Sequence, residues 1–260
     1  MKPSILLFLF LPILLWSAPP AADTVDAVAA KAERAIERAG LRADAAALAK
    51  TITLVDAALA GAPNQPALLY ARGYAAYVDA GQRRGPGERT ASEKSLRDGL
   101  AFLERVKGAP WETEATALRA TILGSLISLQ PDPAQAGATL GMESGELMAS
   151  AAVDAPASPR VLLFRGQAAL FTPREYGGDP AEGAALIQQA VERFAAPGAP
   201  PSGPAWGRAD ALAWLGFARQ QIGDLPGARA AWQQALAIEP DYAWVKHVLL
   251  PSLDQAPAKH

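Results

Sequence analysis

The chain contains no cysteine, so disulfides, thiol nucleophiles, cysteine-ligated zinc and a lipid-anchored N-terminal cysteine are all excluded. Histidine is nearly missing too. His247 and His260 are the only two, which leaves little for imidazole-based metal binding, and neither a metal site nor a cofactor is expected. Charge of one sign is not in excess: 24 basic residues face 26 acidic ones, for a net charge of −2. A nucleic-acid partner would call for clustered basic residues, so none is expected. With 50% hydrophobic residues and so low a net charge, the chain is not a disordered one either. The motifs Gly-x-Ser-x-Gly, His-Glu-x-x-His, Gly-x-x-x-x-Gly-Lys and Gly-x-Gly-x-x-Gly do not occur. The composition points away from an enzyme.

What is abundant is alanine, 59 of 260 residues, and alanine favours helices because it loses no side-chain entropy there. One long apolar run stands out, Ile5 to Trp16. Lys2 precedes it, and the small-residue stretch Ser17-Ala18-Pro19-Pro20-Ala21-Ala22 leads into Asp23. That is the order of a secretory signal peptide, too short to span a bilayer, which needs roughly 20 apolar residues. Residues 1–22 are therefore expected to be removed after Ala22, leaving a periplasmic or secreted chain with no stable membrane insertion. Removing Lys2 would shift the net charge of −2 to −3.

The remaining residues, 23–260, read as one domain built from repeats. Pro63-x-x-Pro66-x-x-Leu69-x-x-Arg72-Gly73-x-Ala75-Ala76 recurs 93 residues later as Pro156-x-x-Pro159-x-x-Leu162-x-x-Arg165-Gly166-x-Ala168-Ala169, and Leu123-Gly124 recurs after 92 as Leu215-Gly216. In the last unit, residues 209–242, the sequence places Leu212, Leu215, Gly216, Ala228, Trp232, Ala235 and Pro240 at the apolar, small and proline positions of a 34-residue period. Gly216 and Ala228 suit a close crossing of two helices with Trp232 beside them, and Gly223-Asp224 supplies the turn. Earlier units carry longer turns: a basic Gly/Pro excursion with Arg83 and Arg84, a loop at Pro131-Asp132-Pro133, and Thr172 to Pro180. Second helices are expected at 92–106, 144–153 and 181–194. Residues 23–61 add two more helices, from Val25, Val28, Ala32, Ile36 and then Leu48, Ile52, Val55, Leu59 at helical spacing. Ala243 to Leu253, with Trp244, Val248 and Leu249 on one side, is expected to cap the end, and Pro197 to Pro204 to form a loop entering the last unit at Trp206.

Residues 209–242 resemble a tetratricopeptide repeat (TPR), with Leu212 and Arg219 standing where the family usually has Trp and Tyr. The resemblance implies an all-α, TPR-like superhelix of about ten helices plus the cap. Pro173 to Pro180, together with Trp206-Gly207, Ile238-Glu239-Pro240, Trp244-Val245-Lys246 and Leu249-Leu250-Pro251, is similar to a group of secreted bacterial TPR proteins with no assigned activity. The turn Gly177-Gly178-Asp179-Pro180 is similar, more loosely, to periplasmic TPR partners of binding-protein-dependent transporters. Both resemblances imply a scaffold that binds a protein or peptide, without catalysis.

In the TPR frame the concave wall is lined by fixed positions of each first helix. These give Tyr70, Tyr74 and Tyr77 in one unit and Thr121, Ser125 and Ser128 in the next. Arg160, Leu163, Gln167 and Leu170 follow, then Asp210, Phe217, Gln220 and Gln221. Such a mixed aromatic and amide wall suits an extended peptide or partner helix. The tyrosine stripe has a second reading, as core against residues 23–61. Arg72 and Arg165 occupy equivalent places where apolar residues are usual. The alternative of a hydrolase using Glu175 and Asp179 is set against a simpler role for that loop: Gly177-Gly178 for a tight turn, Asp179 as a helix cap and Pro180 at the first helical position.

Overall fold

The computed structural model describes residues 24–83, 85, 87–196 and 203–254. The expected leader at 1–22, Arg84, residues 197–202 and His260 lie outside them.

Among the described residues the fold is all helical, without strands. In chain order the helices are α1 (Val25–Leu41), α2 (Ala45–Gly61), α3 (Pro66–Gln82), α4 (Arg89–Leu103) and α5 (Trp111–Ile127). A short α6 (Pro133–Ala136) runs through a π turn (Gly137–Gly141) into α7 (Met142–Asp154). Then come α8 (Pro159–Phe171), a 3-10 turn (Arg174–Tyr176), α9 (Pro180–Ala195), α10 (Arg208–Gln221) and α11 (Leu225–Ile238). A π turn (Val245–Leu249) and α12 (Leu250–Asp254) close the chain. Sequence neighbours pack as antiparallel pairs, α1 on α2, α3 on α4, α5 on α7, α8 on α9 and α10 on α11. This is the stacked-hairpin, TPR-like architecture that the repeat pattern implies.

The starts of these helices follow from side chains that satisfy unpaired backbone N–H groups. Thr24, Asp44, Asp132, Ser158, Asp179 and Asp224 each accept an N–H in the first turn of the helix that follows. Pro66, Pro133, Pro159 and Pro180 occupy the first helical position, where a missing N–H costs nothing. The 93-residue repeat thus marks the starts of α3 and α8. Glycine decides how closely each pair crosses. A Cβ on Gly73 would collide with Leu103, and one on Gly166 with Ile187; each faces a glycine of the second helix, Gly99 and Gly183. In the last pair, a Cβ on Gly216 would collide with the Trp232 indole, which is fully buried and donates from Nε1 to the Ala213 carbonyl at 3.0 Å.

Two expectations shift. Asp132 does not stay in a loop but caps α6, so the third unit's second helix begins earlier than residue 144. At the C-terminus the π turn widens the helix and displaces the register by one residue. Val245 and Leu249 are buried there and Val248 is 54% exposed, so Val248 does not share the covered side with Leu249. Trp244, Val245, Leu249 and Tyr242 pack on α10 and α11 and cover the end of the stack.

Five repeats suffice to bring the two ends together. Leu41 of α1 joins the apolar cluster of Leu212, Trp232 and Tyr242, and the Arg42 guanidinium reaches Glu239 after α11 at 3.0 Å. The end of α1 is thereby brought against the last pair.

Candidate functional site: the concave wall

One half of the concave wall is filled by the chain itself. Residues 203–207, the strap leading into α10, cross it and insert Trp206, which is 4% exposed. Its indole stacks on Tyr74 with centroids 4.0 Å apart and planes at 11°, and lies tilted against Phe164 at 5.9 Å. Tyr70 packs beside it on Trp111 at 5.5 Å. Tyr70 and Tyr74 are buried and Tyr77 is half-buried. This half of the tyrosine stripe is core, but against the strap and Trp111 as well as the N-terminal helices.

The strap is held by charged groups that the wall supplies. The Ala205 N–H donates to Glu33 at 2.7 Å and the Gly207 N–H to Glu37 at 2.8 Å. Arg160 donates to the Trp206 carbonyl at 3.0 Å while its Nε binds Glu114 at 2.9 Å, and Ser158 donates to the same carboxylate at 2.7 Å. Arg160 is thus buried and paired. Burial, the largest single influence, lowers its pKa, but Glu114, Tyr70 and Glu33 together outweigh it and the net shift is upward. For the acids burial dominates. It pushes Glu33 up to about 8 against the N–H bond from Ala205, and Glu37 up to about 7 against the one from Gly207. Asp210 is raised to about 6 by burial although Tyr242 donates to it at 2.7 Å. Among the described residues Glu33 Oε1 has no hydrogen-bond partner.

The other half of the wall is not covered by the strap. Phe171 at the end of α8, Trp214 and Phe217 on α10 and Trp244 of the cap form a continuous group of four rings. Trp214 meets Trp244 at 4.9 Å and Phe217 at 5.6 Å, and Phe171 meets Trp214 at 5.7 Å and Phe217 at 6.0 Å. Phe171 is 61% exposed, and the other three are half-buried. Gln220 and Gln221 follow one turn on; Gln220 donates to Ser252 at 2.9 Å and Gln221 is exposed. Of these rings only Phe217 is a wall position in the sequence frame; Phe171 follows Leu170, and Trp244 belongs to the cap. Gln167, one turn before Phe171, is instead buried, with its amide nitrogen unpartnered.

The remaining sequence candidates are placed as follows. Arg72 reaches Asp56 at 2.7 Å and lies over the Phe102 ring at 4.8 Å. Arg83 binds Asp79 at 2.8 Å and Glu88 at 3.1 Å. Glu175 is exposed; Asp179 accepts the Ala181 N–H at 2.8 Å as the α9 cap, and Gly177 has φ 92°. His247 is exposed. Among the described residues no cluster of His, Asp and Glu is arranged to hold a metal, and no helix is long and apolar enough to cross a membrane. The strap's role escaped the sequence, since nothing local says where a loop will land. Glu33 left a signal: it shares a helical face with the apolar Ala29 and Ile36.

No protein-family model matches the chain, and no curated protein matches it. Among solved structures it is similar to the HusA haemophore from Porphyromonas gingivalis, at 22% identity and TM-score 0.56 over 74% of this chain and 92% of that one. It also matches MamA, residues 41 to the end, from Desulfovibrio magneticus RS-1, at 16% identity and TM-score 0.34 over 83% of this chain and 97% of that one. The first likeness bears on the fold, which it matches as an all-helical array.

Proposed function

We propose that the protein is a non-catalytic binding module, exported to the periplasm or secreted, that holds a protein or peptide partner on the open C-terminal half of its concave wall. The observation that carries this is the partly exposed four-ring group of Phe171, Trp214, Phe217 and Trp244, with Gln220 and Gln221 alongside. Aromatic rings present large rigid area at little entropic cost, and adjacent amides suit a peptide backbone. A partner subunit of a periplasmic binding-protein-dependent transporter fits the same reading. The hydrolase alternative is weaker, because Asp179 spends its carboxylate on a helix cap.

Selection of peptides from a displayed library against residues 23–260 tests the site. Sequences retained by the parent should lose at least tenfold in affinity with Phe171→Ala/Trp244→Ala. Equal affinity for that variant, with its helical circular dichroism intact, would place recognition elsewhere. Export is tested separately by the intact mass of the protein recovered from a periplasmic extract. The expected mass lacks residues 1–22, and a mass that includes them would count against the leader.

A further inference from the structure

Where the ring of repeats closes, α1, α9 and the strap leave a cleft of about 930 Å3 that shares no residue with the aromatic wall. Four arginines line it: Arg34 and Arg38, one turn apart on α1, Arg193 near the end of α9, and Arg208 at the start of α10. All four are exposed, and among the described residues none of their guanidinium groups has an ion pair or hydrogen bond. The acids that line the same cleft do not neutralise them. Glu114 is held by Arg160 and Ser158, Glu239 by Arg42, and Glu37 by the Gly207 N–H. In a chain of net charge −2, four unpaired guanidinium groups around one concavity are a concentrated positive field, to which the N-terminus of α10 adds its partial charge. The walls between them are apolar, with the edge of Phe194, Pro156, Pro159 and Ile238.

We infer that this cleft binds a small organic polyanion, a molecule with at least two carboxylate or phosphate groups on an apolar body. Two anionic groups are required because the arginines come in two sets, one on α1 and one across the cleft on α9 and α10. Each guanidinium presents a planar fork matched to a carboxylate or phosphate. The volume lies in the range of small-molecule sites, which are mostly apolar with a few fixed polar groups. Phe194 lies 5.8 Å from the buried Arg160 guanidinium and presses on Gly207. The apolar wall is thereby held rigidly to the strap.

Titration calorimetry with residues 23–260 and naphthalene-2,6-dicarboxylate tests this at low salt, with 2-naphthoate and inorganic pyrophosphate as comparison probes. The dicarboxylate should bind at least tenfold tighter than the monoacid, and weaken as salt is raised. Arg34→Ala/Arg208→Ala should weaken it at least tenfold, whereas Arg174→Ala, on the exposed turn before α9, should leave it unchanged. Far-ultraviolet circular dichroism of both variants guards against misfolding. No binding of the dicarboxylate at millimolar concentration, or equal binding by the Arg34→Ala/Arg208→Ala variant, would overturn the proposal. Pyrophosphate binding as tightly as the dicarboxylate would overturn its apolar part and mark a site for inorganic anions.

Discussion

Glu33 is the residue on which pH should act most strongly. Its carboxyl is fully buried and titrates at about 8 in place of 4.5 because burial penalises the charged form, and Glu37 is raised in the same way to about 7. The sign follows from linkage. A carboxyl whose folded pKa is raised contributes stability that is complete below the unfolded value, and loses it as pH rises through the folded one. Stability should therefore fall between pH 4.5 and 8. Over that range the folded chain keeps a proton that the unfolded chain has released, which costs about 1.4 kcal/mol for each step of one in pH. From pH 5.5 to 8.5 the loss from Glu33 should be roughly 3 kcal/mol. Urea melts at the two pH values measure it. Glu33→Gln should remove about half of the slope, the rest coming from Glu37 and Asp210, and be the more stable variant at pH 8.5; a stability that rises over this interval would contradict the burial of Glu33. The same residue shows what a sequence conveys at this scale. An acid on an apolar helical face is visible as an anomaly, but its partner, the Ala205 N–H, lies 172 residues away.

At the scale of the helix pair, small residues set the geometry and large ones fill it. Trp232 is fully buried against Gly216 and Ala228, whereas Asp179 acts through one bond to Ala181 in an exposed turn. Trp232→Ala should cost roughly 3 to 5 kcal/mol as an emptied core site. Asp179→Ala should cost roughly 0.5 to 2 kcal/mol as a lost cap. Thermal melts of the two variants give the order, and a larger loss for Asp179→Ala would mean that the turn at Gly177 and Gly178 does more than start α9. These local devices were legible because they are local: caps, first-turn prolines and crossing glycines sit at fixed offsets within one unit. The π turn was not. Nothing in Val245 to Leu249 marks an i to i+5 bond, so the register of the last segment was displaced: Val248, expected beside Leu249, is exposed, and Val245 is buried.

For the whole molecule the decisive fact is closure. The repeat period predicts that first helices line a concave wall, and they do. It does not predict how tightly the superhelix winds, because that depends on small rotations per repeat summed over five pairs. Here the winding brings Leu41 to Leu212 and Arg42 to Glu239, and the strap enters the space left between. Tyr70, Tyr74 and Arg160, concave by position, are thereby withdrawn from solvent, while Phe171 and Trp244 are not. One wall is thus divided into a filled half and an open half. Hydroxyl-radical footprinting of the protein alone and with a selected peptide reads this division residue by residue. Phe171 and Trp244 should be oxidised in the free protein and protected by the peptide, with Tyr70, Tyr74 and Trp206 inert in both. Oxidation of Tyr74 and Trp206 in the free protein, with peptide protection there and none at Phe171 or Trp244, would contradict it.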